Sequence, residues 1–262
     1  MSLEHKVVIV TGGAASIGKG IAECFAKESA RIVIADCNEE DGMAAKAYLE
    51  RMGCEVLFIK MDAAIEEDTE RAVALTLEKW GQIDVLVNNV GTHLYKPLVD
   101  IKTQEWDYLM AVDLKGCFLM SRNVLPHMRS RNQGCIINIS SVHANASSKH
   151  FTAYSAAKGG VVSMTRSMAA EYAADGIRVN AVLPGWTRSK TTDKDLSHYD
   201  EAERSSVLAR WGRAIPIGRL AEPVEIGHSV VFLASDKASY ITGACLSVDG
   251  GLSSTLIMNT DH

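Results

Sequence analysis

The stretch that decides the fold is Val7-Val8-Ile9-Val10-Thr11-Gly12-Gly13-Ala14-Ala15-Ser16-Ile17-Gly18. An unbroken apolar run reads as a strand buried on both faces, because a strand with one wet face alternates instead. The small residues that follow make a tight turn, and Ile17, Ile21 and Phe25 then recur at helical spacing. Strand, glycine-rich turn and helix in that order bring free backbone N–H groups and the positive end of a helix dipole together, which suits a pyrophosphate. The bare glycine pattern also describes an ordinary βα turn; the flanking strand and helix give it weight.

The same alternation runs down the chain. Continuous apolar runs at 32–35, 56–59, 85–87, 136–139, 179–183 and 245–248 are separated by helix-period segments such as Val73/Leu77/Trp80 and Ile226/Val230/Leu233. Strands and helices in alternation imply right-handed crossovers, an α/β class and a doubly wound parallel sheet flanked by helices, here as a single domain over 1–262. Residues 186–215 break the rhythm, being polar, mixed in charge and poor in strand formers. Such a segment is either a lid over a site or a surface insertion.

Composition bounds the partners. The 262 residues are 47% hydrophobic and 23% charged with a net charge of −5, which fits a globular chain with a sizeable core. Charges of both signs are interspersed, without the basic stripe expected of a nucleic-acid or anionic-membrane surface. The six cysteines lie apart with no C-x-x-C pair or Cys/His cluster, so no metal site is expected, and buried thiols in a reducing, cytoplasmic compartment are. No apolar run reaches membrane-spanning length, and the run at 7–10 is too short for a signal-peptide core.

The second apolar run ends at Asp36. A carboxylate there can accept hydrogen bonds from both ribose hydroxyls and would repel a 2′-phosphate. Neither Ala15 nor Cys37 offers the cation that NADP needs. Paired with the glycine turn, Asp36 therefore favours NAD as cofactor.

With these motifs in order, the chain from Lys6 to Gly251 resembles the short-chain dehydrogenase/reductase family in its single-domain, Rossmann-type form. The likeness is carried by the glycine turn, Asp62-Ala63, Asn88-Asn89-Val90-Gly91, Ile136-Ile137-Asn138-Ile139-Ser140-Ser141, Tyr154-Ser155-Ala156-Ala157-Lys158, Arg178-Val179-Asn180, Pro184-Gly185 and Tyr240-Ile241-Thr242-Gly243 leading to Asp249-Gly250-Gly251. The resemblance implies a cofactor set of Gly12, Ser16, Ile17, Gly18, Asp36, Asp62 at the adenine, Ala63 and Asn89, with Thr187 and Ser189 near the nicotinamide carboxamide. It also implies a homotetramer and a substrate loop after Pro184-Gly185, which favours the lid reading of 186–215.

Tyr154 and Lys158, four residues apart, share one helix face. An ordinary tyrosine titrates near ~10 and is a poor base at neutral pH. An adjacent ammonium and the nicotinamide cation would stabilise its phenolate, letting it exchange a proton with a carbinol. The resemblance makes these residues the acid–base pair, with Lys158 also on the nicotinamide ribose, and Ser141, thirteen residues before Tyr154, the orienter of the substrate oxygen. Nucleophilic catalysis by serine is disfavoured, since no Gly-x-Ser-x-Gly elbow surrounds it. The catalytic set expected is Ser141, Tyr154, Lys158 and Asp113.

Three residues depart from the family pattern. Asp113 stands where the family usually carries Asn, whose backbone carbonyl supports a proton relay through the lysine. An anion there should hold Lys158 protonated and oppose the phenolate, which predicts an intact relay with a shifted pH optimum. Ser16 replaces a turn glycine, its hydroxyl suited to capping the helix or binding a phosphate oxygen, and Val90 replaces an alanine. Substrate walls are expected from 93–96, 143–150 and 186–215, with His143, Asn145, Ser147, Ser148, Lys149, His150, Trp186 and Arg188. That polar density suits a sugar, sugar acid or polyol, with His143 reaching substrate beside Ser141 and Tyr154. The expected reaction interconverts a secondary alcohol and a ketone with NAD. The alternatives are a 3-oxoacyl thioester reductase and a catalytically idle NAD-binding module.

Overall fold

A computed structural model describes residues 3–254; the ends of the 1–262 domain expectation lie outside the described residues. Among the described residues, seven strands form one parallel sheet: β1 (Val7–Thr11), β2 (Arg31–Asp36), β3 (Val56–Lys60), β4 (Val85–Asn88), β5 (Gly134–Ile139), β6 (Ile177–Pro184) and β7 (Cys245–Val248), in the order β3-β2-β1-β4-β5-β6-β7. Every strand contains one of the apolar runs. Alternate side chains enter opposite cores, which is why the runs are continuous: Val8, Val10, Ile32 and Ile34 face one, while Ile9, Val33 and Ala35 face the other.

The helices that cover these faces are α1 (Ser16–Lys27), α2 (Glu39–Arg51), α3 (Glu66–Trp80), α4 (Thr103–Met110), α5 (Gly116–Ser130), α6 (Thr152–Tyr172), α7 (Lys190–Leu196), α8 (Glu201–Arg213) and α9 (Pro223–Ala234). From α1 and α9, Phe25, Ile21, Ile226, Val230 and Leu233 fill the first core; from α3, α5 and α6, Val73, Met120, Val124 and Met168 fill the second. A π-helical turn, Ala111–Lys115, joins α4 to α5. It widens the helix where Asp113 points inward, and such turns recur at functional sites.

After β1 the chain steps to β2 on one side, and β4 later pairs with β1 on the other. The sheet order therefore reverses between β1 and β4, opening a crevice above their carboxyl ends. Beneath it, Asn88 Nδ2 donates to Asn138 Oδ1 (2.9 Å) and Ser121 Oγ (3.0 Å), and Asn138 Nδ2 donates to Thr165 Oγ1 (2.9 Å). This buried network ties β4 and β5 to α5 and α6, so the elements that carry the site share one rigid floor.

Residues 186–215 are not an irregular loop: they hold α7 and α8. Their stem is pinned where Ala221 N donates to Trp186 O and Arg188 N to Ala221 O, both at 2.9 Å.

Candidate active site

The crevice holds a cleft of about 740 Å³ whose lining runs from the glycine turn to α6 and the 186–215 segment. Gly12, Ser16, Ile17, Gly18, Asp36, Asn89, Ser141, His143, Tyr154, Lys158, Thr187 and Ser189 all line it, so most of the expected site converges. Asp62 and Ala63 do not. Asp62 Oδ1 accepts from Ala64 N at 2.9 Å, and Ala63 is buried in the second core. Both shape a turn beside the cleft rather than its wall.

Close packing dictates the glycine turn. Gly12 takes a left-handed backbone (φ +63°), and a Cβ on Gly18 would sit 2.0 Å from Gly12 O. Asn89 Nδ2 donates to Thr11 O (3.0 Å) and Gly12 O (3.1 Å), locking the turn to the end of β4. A bare backbone therefore fronts the start of α1, a shape that fits a dinucleotide pyrophosphate. Asp36 closes its far end: its carboxylate accepts from Ala14 N (3.1 Å) and Asn38 N (3.0 Å), which aims it at the turn.

Ser16 departs from expectation. The helix N-cap is Ala15, with no side-chain cap, and Ser16 itself is left-handed at φ 49°. Its hydroxyl instead accepts from Lys190 N at 3.1 Å, and Lys190 Nζ pairs with Asp41 at 2.5 Å. The first residue of α7 is thus clasped across the cleft to the glycine turn and to α2. Sequence reading missed Lys190, because its partners lie 174 and 149 residues away.

Helical spacing does bring Tyr154 and Lys158 together: Lys158 Nζ lies 5.7 Å from the Tyr154 ring centroid. The lysine is buried, 3.1 Å from Asp113 Oδ2, and donates to Ile139 O at 3.3 Å. Asp113 Oδ1 accepts from Thr92 N at 2.7 Å. Burial alone would push the Lys158 ammonium down, but Asp113 foremost, with Tyr154 and Cys117, holds it above the ordinary lysine value. Burial pushes the Asp113 carboxyl up, against the pull of Lys158 and the Thr92 amide. A Cβ on Gly91 would lie 3.0 Å from Lys158 Nζ and 3.3 Å from Asp113 Oδ2, so a bare backbone there gives the pair its room.

The two adjacent serines separate by their bonds. Ser140 Oγ is spent on Lys158 O at 2.9 Å, whereas Ser141 Oγ accepts only the His143 amide (3.2 Å) and keeps its own proton to donate. His143 Nδ1 meets Ser147 Oγ at 3.0 Å, and burial holds the imidazole below its usual range, so it is neutral at pH 7.

The substrate end of the cleft differs from the expected polar wall. Of the eight side chains proposed for it, only His143 and Trp186 line the cleft. The chain turns outward after Val142–Ala144, leaving Asn145, Ser147, Ser148 and Lys149 exposed; His150 stacks edge-on against Tyr95, and Arg188 pairs with Glu222. The wall is instead mostly Val142, Phe151, Trp186, Trp211 and Leu220, with Thr192 and, from the expected 93–96 stretch, His93 also lining the cleft. Phe151, His143 and Tyr154 pack ring against ring at 4.4–6.0 Å, facing an edge-on Trp186–Trp211 pair. These aromatic neighbours were legible only as scattered residues.

Among the described residues no three His, Cys, Asp or Glu side chains gather as metal ligands, and no helix is long and apolar enough to cross a membrane. The sequence profile described as Enoyl-(Acyl carrier protein) reductase matches residues 12–253. The chain is 37% identical over 252 residues to the 3-oxoacyl-(acyl-carrier-protein) reductase FabG of Thermotoga maritima, covering 96% of this chain and 99% of the relative. This chain belongs to the short-chain dehydrogenase/reductase family. A second member, cyclopentanol dehydrogenase of Comamonas sp. (strain NCIMB 9872), is 37% identical over 251 residues, 95% of this chain and 97% of the relative. The crystal structure of levodione reductase superposes with a TM-score of 0.90 at 31% identity, over 97% of this chain and 99% of that one. The family assignment makes the chain an oxidoreductase acting on CH–OH groups with a nicotinamide cofactor.

Proposed function

We propose that this chain is an NAD-dependent dehydrogenase/reductase that interconverts a secondary alcohol and its ketone, and that the preferred substrate carries a compact, largely apolar ring. The carrying observation is that Tyr154, one helical turn from buried Lys158, opens into the same cleft as the 12–18 turn and Asp36. When bound, the nicotinamide supplies the hydride acceptor for oxidation or the donor for reduction.

The chain's own residues do the rest. Backbone N–H groups of the glycine turn hold the pyrophosphate, Asp36 accepts from the ribose hydroxyls, and Thr187 and Ser189 hold the carboxamide. Ser141 Oγ donates to the substrate oxygen and orients it. Tyr154 Oη removes the hydroxyl proton in oxidation and returns it in reduction, its phenolate stabilised by the Lys158 ammonium, which also bonds the nicotinamide ribose.

Asp36 supports NAD, and the cations around it are engaged by other carboxylates: Lys190 by Asp41 and Lys60, its neighbour on β3, by Glu39. The substrate proposal replaces the polyol expectation because aromatic and aliphatic walls leave ring hydroxyls unpaired, and each unpaired polar group costs about 1–3 kcal/mol. The relatives named for cyclopentanol and levodione point the same way. Self-association, as in the tetramers common in the family, is supported by β7 ending the sheet among the described residues with Leu246 exposed, and by fully exposed Tyr240. The six unpaired cysteines favour a reducing, cytoplasmic setting.

Absorbance assays with NAD, NADP, cyclic secondary alcohols and polyols test this reading. Higher kcat/KM with NAD and a cyclic alcohol is expected. A preference for polyols would return the substrate assignment to the sequence-based one. Preference for NADPH and a 3-oxoacyl thioester would mark the chain as an acyl reductase instead. Tight NAD binding without turnover on any alcohol would mark it as a binding module. Size-exclusion chromatography with light scattering reads the assembly, where a monomer would contradict self-association.

A further inference from the structure

The Lys158 ammonium does not act on Tyr154 alone. Its nearest charged neighbour is the Asp113 carboxylate, 3.1 Å away, and both side chains are closed to solvent. One Asp113 oxygen accepts the Thr92 amide; Oδ2 has no aligned hydrogen-bond donor, so Lys158 is its compensation. Each element packed around the pair adds a known group. Helix α6 brings Lys158 and Tyr154, β5 the Ile139 carbonyl, and the segment after β4 the Thr92 amide and His93. Helix α5 brings Cys117, whose thiol donates to Asp113 O at 3.3 Å and is pushed up to about 11 by burial, hence neutral at pH 7. The charge on Lys158 is therefore met inside this cluster by the Asp113 carboxylate, 3.1 Å away.

We propose that Asp113 is a positioning residue that balances the charge of Lys158 and so sets the working direction of the reaction: carbonyl reduction near neutral pH, with alcohol oxidation confined to alkaline solution. The inference rests on the reading of Tyr154 as the proton-exchanging group. Oxidation needs a tyrosinate to take the proton, whereas reduction needs a protonated tyrosine to give one. With a lone ammonium beneath it, a tyrosinate completes a neutral pair. With Asp113 already paired to that ammonium, the same ionisation leaves a net negative charge in a closed space, and the neutral phenol is favoured. The carboxylate acts twice, because it also keeps Lys158 cationic further into alkaline solution. The alkaline limb of the reaction is therefore both displaced and prolonged.

The test compares the parent with Asp113→Asn, which keeps the shape and removes the charge, and with Asp113→Ser, which removes both. Two readouts are taken on whichever variants retain the parent's circular dichroism. The first is the pH profile of oxidation and of reduction. In Asp113→Asn both the rising limb of oxidation and the falling limb of reduction should move acidward by about one pH unit, as expected for loss of one partly screened buried charge nearby. The second needs neither cofactor nor substrate: an ultraviolet phenolate titration of each protein, with the corresponding Tyr154→Phe protein subtracted. The Tyr154 phenolate should form at lower pH in both neutral variants. Superimposable titrations, or a shift seen in Asp113→Ser but not in Asp113→Asn, would overturn the proposal. A parent protein that turns over no alcohol while the titrations still shift would sink the functional reading and leave the role of Asp113 standing.

Discussion

Replacing Asp36 with alanine should relax the choice between the two nicotinamide dinucleotides, and the structure sets the size of the effect. The carboxylate is fixed by the Ala14 and Asn38 amides at the end of β2, on the rim of the cleft. A 2′-phosphate carries a charge of about −1.5 to −2 and would have to share that rim. At a separation of roughly 4–5 Å in a half-wet groove, with an effective dielectric of about 60, the repulsion is about 2 kcal/mol. Loss of the ribose hydrogen bonds to the carboxylate adds about 1.5–3 kcal/mol against NAD in the variant. Asp36→Ala should therefore raise kcat/KM for NADP by roughly 30-fold and lower it for NAD by at least about tenfold. The assay is kcat/KM for each dinucleotide with one alcohol at fixed pH, repeated at higher ionic strength, which should shrink the NADP gain because the screened part is Coulombic. A ratio unchanged by the substitution would refute the assignment of Asp36 as selector. It would move attention to Lys190, whose ammonium lies across the cleft on Asp41.

Other contacts of the site set further outcomes. Lys158→Met strands the Asp113 carboxylate in the interior and should cost about 3 kcal/mol in denaturant unfolding, while Asp113→Asn on that background should restore most of it; additive losses would contradict the pairing. The folded-state value of Lys158 lies above the ordinary one, so its stabilising share is complete at neutral pH and fades as pH climbs through the folded value; the melting temperature should fall there in the parent and less in the double variant. Ser16→Gly removes a non-glycine residue from the left-handed region but also loosens the unfolded chain and breaks the bond to Lys190 N, so the stability of the nucleotide-free fold should change by less than about 1 kcal/mol. Losing the bond to Lys190 N should at the same time weaken NAD binding several-fold by tryptophan fluorescence. Gain in both quantities would contradict the clasp.

The sheet was legible because parallel strands buried on both faces leave continuous apolar runs, and every such run became a strand. The glycine turn and the Tyr154–Lys158 spacing were legible for a similar reason: each is a local pattern whose geometry follows from a strand end or a helix turn. Residues that act through distant partners were not. Asn88 and Asn138, fifty residues apart, meet only once β4 and β5 pair, and nothing local marks them as the floor of the site. The 186–215 segment looked irregular because its helices are polar. Yet Asp200 and Glu203 form a reciprocal capping box at the start of α8, a signal present in the sequence. The polar wall failed because composition does not say which way a loop turns. After Ser141 accepts the His143 amide, the short 3₁₀ turn directs residues 145–149 to solvent and returns Phe151 to the cleft.

Proton exchange at Tyr154 is the step on which the chemistry of this site turns. Tyr154→Phe keeps the ring that packs on His143 and Phe151 and removes only the hydroxyl. NAD binding by fluorescence should stay near the parent value, while kcat for the preferred alcohol should fall by roughly 10²- to 10⁴-fold, the usual worth of one acid–base group. A variant that binds NAD and oxidises that alcohol as fast as the parent would contradict the chemistry proposed for this site.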